Sequence, residues 1–435
     1  MTARRLLNAS LLVAVFFGLD KLVALGRQVI VARYFGLNPV LDAYNTANNL
    51  PDLLFALISG GALALAFIPI LTETLTREGR EAAWRLFSRV ANLAFIVTAA
   101  GAALLALNPL FLVRLVVAPG FAPPQQSLVA ELMRLNLIAT LIFSISGLAM
   151  GALQAQQHFL LPAIAPVLYN AGQVVGVTVL SPRLGIHGLA YGVILGALLH
   201  LAIQVPALVR YHFHWTPELT LSEPVVRRVL RLMGPRVLTL GLINLIFIAN
   251  DNLASRLGAG SVSALAYGWL ILQLPETVIG TAAGTALLPT MSEYVARGEP
   301  AEFKRLMRRA AAILLALTIP ATLVSLVLVR PAIKLVFEGR AFTAENSEFV
   351  ILAARMFLVG LAGQSLVEIA SRAFYAHQDA RTPLLLAAVT LALYVGLGVA
   401  LSPGLGFAGL ALANSLAFTT EAVLMLVILY RRRLI

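Results

Sequence analysis

Apolar stretches of about 20 residues recur along the whole chain, each closed by glycine, proline or a cluster of charges, and that is the length an α-helix needs to cross a bilayer. They fall at 6–35, 38–72, 86–113, 127–153, 159–181, 185–209, 229–257, 261–292, 306–329, 347–375, 383–402 and 406–430. Lipid supplies no hydrogen-bond partners, so runs of this kind must be helical. With 60% hydrophobic and 12% charged residues over 435, a water-soluble fold has no means of hiding the apolar surface. The expected fold is an all-α polytopic membrane protein of about 12 transmembrane helices. Arg4 and Arg5 before the run Leu6 to Leu19 have the outline of a signal peptide. No small-residue cleavage pattern follows, and Asp20-Lys21 lead into more helix, so this segment is read as an uncleaved first span.

The formal charge of +12 sits mostly in short loops. In a model of 12 spans Arg4, Arg5, Arg77, Arg80, Arg85, Arg227, Arg228, Arg231, Arg297, Lys304, Arg305, Arg308, Arg309, Arg381 and Arg431 to Arg433 share one face. That face is expected to be cytoplasmic, with both termini on it. No basic helix or aromatic-basic module accompanies the charge, so nucleic acid is not an expected partner. The chain has no cysteine, which excludes disulfides, thiolate chemistry and Cys-based metal sites, and the six histidines show no ligand spacing.

Repetition is the next constraint. Phe67-Ile68-Pro69 through Glu73, then Arg85-Leu86 and Arg89, recurs as Leu287-Leu288-Pro289 through Glu293, then Arg305-Leu306 and Arg309. Ala152 to Gln157, closing at Pro162, recurs as Ala373 to Gln378, closing at Pro383, and Phe121 recurs as Phe342, the last pair 221 residues apart. The expected organisation is an N-terminal six-helix lobe over 1–215 and a C-terminal one over 216–435, as parallel repeats around a central cavity.

Charged residues inside spans are where function is sought. Asp20 and Arg27, seven residues apart, share a helix face, with Lys21 about 100° away. At mid-bilayer each costs about 2.5–3.5 kcal/mol on insertion scales, so they either pair into a structural network or face a polar pathway. The second span opens with Asp42, Asn45, Asn48, Asn49 and Asp52, with Pro51 as a kink. Such a helix either exposes polar groups to a ligand or uses its amides to join helices. Asn244, Asn250, Asp251, Asn252 and Arg256 end the seventh span, and Glu276 sits within the eighth. Asp251 with its amide neighbours either ligates a monovalent cation or pairs with Arg256. Gln364, Glu368 and Arg372 lie one turn apart in succession. Gly60-Gly61, Gly280 and Gly284 lack a following Lys-Ser or Lys-Thr, so they suit close helix packing rather than phosphate binding. No catalytic constellation appears, and the chain reads as a transporter rather than an enzyme.

The chain resembles the MurJ/MviN branch of the multidrug/oligosaccharidyl-lipid/polysaccharide exporter superfamily, the lipid II flippases. The residues that carry the resemblance are Leu25-Gly26-Arg27-Gln28-Val29-Ile30-Val31-Ala32-Arg33-Tyr34-Phe35-Gly36, Leu41 to Tyr44 and Asn49 to Leu54. Ala66 to Leu71, Ala118 to Phe121, Leu287 to Pro289 and Phe374 to Pro383 extend it over nearly the whole length. The resemblance implies a cationic cavity for the diphosphate and sugar-peptide head group of lipid II, and an undecaprenyl tail held outside it. It places Lys21, Arg27 and Asp42 in substrate binding, followed by Arg33, Asp52, Arg256 and Glu276, with Asp251 as the candidate monovalent cation ligand. Lys21 stands where the family usually has Arg, Phe55 and Ala56 where it has paired arginines, Gly60 where it has an acid, and Trp269 where it has another arginine. The family usually has fourteen spans, about two more than are counted here.

The expected function is therefore a flippase that moves an undecaprenyl-diphosphate-linked saccharide, lipid II, across the bacterial inner membrane by alternating access. No cofactor is implied; a Na+ or H+ gradient or the membrane potential supplies the energy. Membrane lipids and peptidoglycan synthesis proteins are the other expected partners. The alternatives are an exporter of another lipid-linked polysaccharide unit or amphipathic small molecule, and a non-transporting cell-wall scaffold.

Overall fold

The computed structural model describes residues 3–58, 61–219 and 223–435. The side chains of Arg4 and Arg5, and Ser59 and Gly60 altogether, lie outside the described residues. Apolar segments without hydrogen-bonding alternatives become helices throughout. The first three expected spans are α1 (Ala3–Phe35), then α2 (Pro39–Ala47), α3 (Asn49–Ile58) and α4 (Gly61–Arg77) in succession, then α5 (Arg80–Leu107). A short α6 (Pro109–Leu112) runs into a π-helical turn at Val113–Val117. There follow α7 (Pro123–Ala155), α8 (Leu160–Val175) with a π-helical turn at Gly176–Leu180 and a short α9 (Ser181–Leu184), α10 (Ile186–Ala202) and α11 (Val205–Arg210).

The second half comprises α12 (Pro224–Ala254), α13 (Ser261–Glu276), a π-helical turn at Thr277–Thr281, and α14 (Ala282–Arg297). It continues with α15 (Pro300–Phe337), α16 (Ala344–Leu358), α17 (Leu361–Ala376), α18 (Arg381–Leu405) and α19 (Phe407–Arg431). Among the described residues every expected span thus falls on one helix or on consecutive helices. Among the described residues nine helices are long and apolar enough to cross a membrane, and α16 with α17, bent by 46°, makes a tenth. The other two expected spans are α1, which carries Asp20, Lys21 and Arg27, and the second, which is broken into pieces of 9, 10 and 17 residues.

The internal repeat reappears in the element bounds. Adding 221 to α7 gives the span of α16 and α17, to the run from α8 to α9 gives α18, and to the run from α10 to α11 gives α19. Buried positions correspond as well: Leu148, Ala152 and Leu153 map onto Ile369, Ala373 and Phe374, all at 1% exposure or less.

The chain divides into two compact units. Unit 1 comprises Met1–Phe35, Thr46–Val117 and Ala122–Asn244, and unit 2 comprises Gly36–Asn45, Ala118–Phe121 and Leu245–Ile435. Unit 1 packs around Phe67, Trp84, Phe87, Leu148 and Leu153. The segment after α11 is strapped to α5: Trp84 Nε1 donates to the Tyr211 carbonyl at 3.0 Å, and Asn92 Nδ2 donates to the Thr216 and Glu218 carbonyls at 2.8 and 3.0 Å. Arg89 adds ion pairs to Glu218 at 2.7 Å and Glu223 at 3.1 Å. Unit 2 packs around Met291, Phe303, Met307, Phe374 and Met425.

Two short loops from the first half belong to unit 2 and make the same kind of contact twice. Gly36, with a left-handed φ of 67°, lies so close to the Ala341 carbonyl that a Cβ has no room. Gly120 lies equally close to Arg256, and its N–H donates to Ser255 Oγ at 3.1 Å. Shifting 36 by 221 gives 257 and shifting 120 by 221 gives 341, so the two contacts are repeat equivalents to within one residue.

Candidate functional site

In unit 1 the charges of α1 are held by amides of α8. Asn170 Nδ2 donates to Asp20 Oδ1 at 2.8 Å, and Arg27 Nη1 donates to Gln173 Oε1 at 2.6 Å. Asn170 and Gln173 are three residues apart, adjacent on one helix face, and both are buried. Asp20 and Arg27 therefore occupy one stripe, as their spacing predicts, but each takes its own neutral partner instead of the other. An amide can hold a guanidinium and leave its charge unneutralised, which a carboxylate would not. Lys21 is exposed and Arg33 half-buried.

The second span breaks at Asn48, between α2 and α3, and Pro51 follows within the first turn of α3, where its missing N–H costs nothing. Asn48 Oδ1 accepts from Asn136 Nδ2 on α7 at 2.9 Å. The break turns Asp52 toward α7, α8 and α10, where it lines a cavity of unit 1 with Phe55, Asn136, Phe143, Tyr169 and His200.

Asp42 has a different environment. It is fully buried in unit 2, where Oδ2 accepts from the Gly260 N–H at 2.6 Å and Oδ1 accepts from the Ser263 N–H at 2.8 Å and the Ser263 hydroxyl at 2.6 Å. Gly260 is the N-cap of α13, in a left-handed conformation, and its own side chain offers no cap. A carboxylate from α2 thus supplies the acceptors that the first turn of α13 lacks, where the positive end of the helix dipole favours it. Asn45 Nδ2 also donates to Ser263 Oγ, at 3.1 Å. Asp42 and Ser263 are 221 residues apart, so the carboxylate binds its own repeat equivalent. A group so enclosed holds elements together; it does not reach a ligand directly.

Elsewhere in unit 2, Asp251 is buried and accepts from Asn250 Nδ2 at 3.1 Å, while Asn250 Oδ1 accepts from the Tyr394 hydroxyl at 2.8 Å. The amide thus turns its donor toward Asp251 and spends its oxygen on Tyr394, an orientation assigned from the hydrogen-bond network, which leaves little oxygen for a cation. Arg256 is exposed, with Nη2 3.5 Å from Asn252 Oδ1. Among those residues no group of three or more His, Asp or Glu could hold a metal. Glu276 accepts from Thr281 Oγ1 at 3.2 Å within the π-helical turn, and Glu368 pairs with Arg372 at 2.7 Å. Gly280 permits the close approach expected of it: a Cβ there would stand 2.9 Å from Ser365 Cα on α17.

Phe55 and Trp269, the two large side chains at positions where the resemblance leads one to expect arginine, are both built into aromatic clusters. Phe55 meets Phe143 with centroids 5.7 Å apart, and Trp269 meets Phe247 and Phe357 at 5.8 and 5.6 Å. Asn136, Asn170, Gln173 and Ser263 are the site residues that sequence reasoning missed. The first three carry a signal, since each is an amide within a mainly apolar span. Ser263 carries none.

The family described as "Lipid II flippase MurJ" matches residues 31–435. The lipid II flippase MurJ of Burkholderia cenocepacia is 30% identical over 442 residues, covering 98% of this chain and 84% of the relative. The probable lipid II flippase MurJ of Rhizobium meliloti is 31% identical over 418, covering 92% and 76%. Among solved structures, a lipid II flippase MurJ in an inward closed conformation superposes with a TM-score of 0.83 at 22% identity, covering 97% of this chain and 87% of the other. An inward-facing MATE family multidrug resistance transporter of the MOP superfamily gives 0.80 at 15% identity, covering 95% and 94%. At those identities the structures speak for the fold alone; the family match and the relatives speak for descent. An integral membrane fold whose helices repeat at a fixed offset, with sequence similarity along nearly its full length, places this chain in the lipid II flippase MurJ family.

Proposed function

We propose that the chain moves an undecaprenyl-diphosphate-linked saccharide, lipid II, from one leaflet of the bacterial inner membrane to the other. The observation that carries this reading is similarity over 98% of the chain to a relative named a lipid II flippase. The chemistry of α1 supports it. Arg27 is tethered to a neutral amide, so its charge stays available to a diphosphate, which suits a guanidinium fork. Lys21, exposed six residues earlier, adds a point charge. Glu276 and Arg256 complete the set of charges proposed to meet the head group, while Asp42 acts by positioning α13.

Transport proceeds in this reading by alternating access of two lobes, driven by a Na+ or H+ gradient or by the membrane potential, which is worth about 2.3 kcal/mol per charge per 100 mV. Both termini are cytoplasmic, and enzymes of peptidoglycan synthesis are the protein partners.

The test is complementation: the full chain, expressed in cells depleted of their own lipid II flippase, restores growth. An Arg27→Ala variant present in the membrane at the wild-type level fails to do so. A well-expressed wild-type chain that leaves the depleted cells lysing overturns lipid II as cargo. A second reading, an exporter of an amphipathic small molecule, is favoured by one observation. Phe55 and Trp269 are packed into aromatic clusters, so this chain presents less positive charge to a diphosphate than one with arginines there.

A further inference from the structure

The cavity of unit 1 that Asp52 lines has a volume of about 250 Å³, room for a small organic molecule. Its walls come from α3, α7, α8 and α10. Three features of the lining point the same way. First, it holds one carboxylate and neither lysine nor arginine. Among the described residues nothing donates to that carboxylate or pairs with it; Asp52 bonds only through its backbone. Second, Asn136 is 3% exposed and uses Nδ2 on Asn48, so that its buried Oδ1 accepts from nothing among the described residues. A carboxylate in the lining and the buried amide oxygen of a lining residue thus both lack a donor among the described residues. Third, Phe143 gathers an aromatic wall, with ring centroids 5.7 Å from Phe55, 5.0 Å from Tyr169 and 5.2 Å from His200.

An anion is repelled by such a lining, and a neutral molecule leaves the carboxylate unneutralised. Asp52, Asn136 and Thr140 together carry about four side-chain oxygens, short of the roughly six a bare metal ion takes, and much of the remaining wall is aromatic carbon. A protonated amine satisfies every group present: its charge meets Asp52, its N–H donors reach the carboxylate and Asn136 Oδ1, and its carbon skeleton lies against rings that also attract the cation. Arg27 of α1 is held by Gln173, a turn of α8 beyond Tyr169.

We propose that the unit 1 cavity is a binding site for a small organic ammonium ion, with Asp52 as its counter-ion, Asn136 as a hydrogen-bond acceptor and Phe55, Phe143 and Tyr169 as its walls. The site is independent of the lipid-linked cargo proposed above. Its ligand comes either from solution or from the amine headgroup of a lipid, which share this chemistry.

The full chain, purified in detergent, is titrated calorimetrically with n-butylammonium, with its neutral analogue n-butanol, and with sodium and potassium chloride. The expected result is saturable 1:1 binding of the ammonium ion and butanol binding at least about tenfold weaker, with no competition from the metal ions at equal concentration. Asp52→Asn should weaken binding about tenfold or more, and Phe143→Leu by about three- to tenfold, each with an unchanged melting profile. Absence of saturable binding overturns the proposal, as do equal binding of butanol and displacement by sodium or potassium at equal concentration. These wild-type results decide it even if a variant does not fold. Repeating the titration in nanodiscs with and without phosphatidylethanolamine separates the sources. Weaker butylammonium binding when that lipid is present supports the site and assigns it to a headgroup; undiminished binding supports it and assigns it to a soluble amine.

Discussion

A buried carboxylate held by neutral hydrogen-bond donors is one residue-scale feature of this chain, and Asp42 shows what holds it in place. Two of its three hydrogen bonds satisfy amides at the start of α13 that have no helical partner, and the third takes the Ser263 hydroxyl. Asp42→Ala should lower stability by about 2–4 kcal/mol, the cost of a lost cap and of stranded buried donors. Asn offers one acceptor in place of two, so Asp42→Asn should fall between. The thermal unfolding midpoint in detergent is the measurement, and an unchanged midpoint for the alanine variant would contradict the capping role. Asp379, in the loop between α17 and α18, behaves differently because it is near water. Partial burial pushes its carboxyl up, but the Thr382 hydroxyl and N–H and the Arg432 guanidinium outweigh this and hold it at about 2, below the ordinary 3.8. Since the folded value is the lower one, its contribution is present above about pH 4 and is lost as pH falls toward 2. Melting curves across that window should flatten in Asp379→Asn; an equally steep loss in the variant would place the acid sensitivity elsewhere.

At the scale of elements, close packing of α8 and the π-helical turn after it against α10 depends on what is missing. Gly172 and Gly176 face Gly196 and Gly192, and a Cβ on Gly192 would lie 2.6 Å from Gly176 Cα. Small residues four apart let helix backbones touch where lipid provides no hydrophobic drive. Gly192→Ala should therefore separate the helices and cost about 1–3 kcal/mol. It should also disturb the cavity behind Asp52, which α8 and α10 both line. Protease resistance in membranes reports the first effect; resistance equal to wild type would mean that the helices relax without cost. The pattern of glycines four apart is present in the sequence, but glycine spacing does not say which helix it faces. The second span was legible as polar and kinked through Asn45, Asn48 and Pro51. Its division into α2, α3 and α4 was not, because the break at Asn48 is stabilised by Asn136, 88 residues away.

For the whole molecule, the span count, the twelve positions and the repeat at 221 residues follow from local sequence. Apolar length, loop glycines and recurring Pro-Glu-Arg punctuation each act within one segment. The same reasoning extends to topology. If both termini are cytoplasmic as proposed, a fluorescent protein fused after Ile435 should be bright and a periplasmic alkaline phosphatase fused there inactive, the outcome the Arg431 to Arg433 cluster favours. Active phosphatase at that end would overturn the cytoplasmic placement of the C-terminus. The segment 36–45, by contrast, packs in unit 2 although it is encoded in the first half, something no local signal announces.

What the sequence determined by itself is the solvent each residue type must face: lipid for the apolar helices, water for the loop arginines, and something other than lipid for Asp20, Arg27, Asp42, Asp52 and Asp251. The tertiary structure alone decided what that something is. It gave Arg27 a neutral amide on α8, Asp42 the first turn of α13, and Asp52 an aromatic cavity with no cation in its lining. Helix formation depends on neighbours within a turn and is written in the local pattern. The partner of a buried charge lies 146 or 221 residues away and is selected by how whole helices pack.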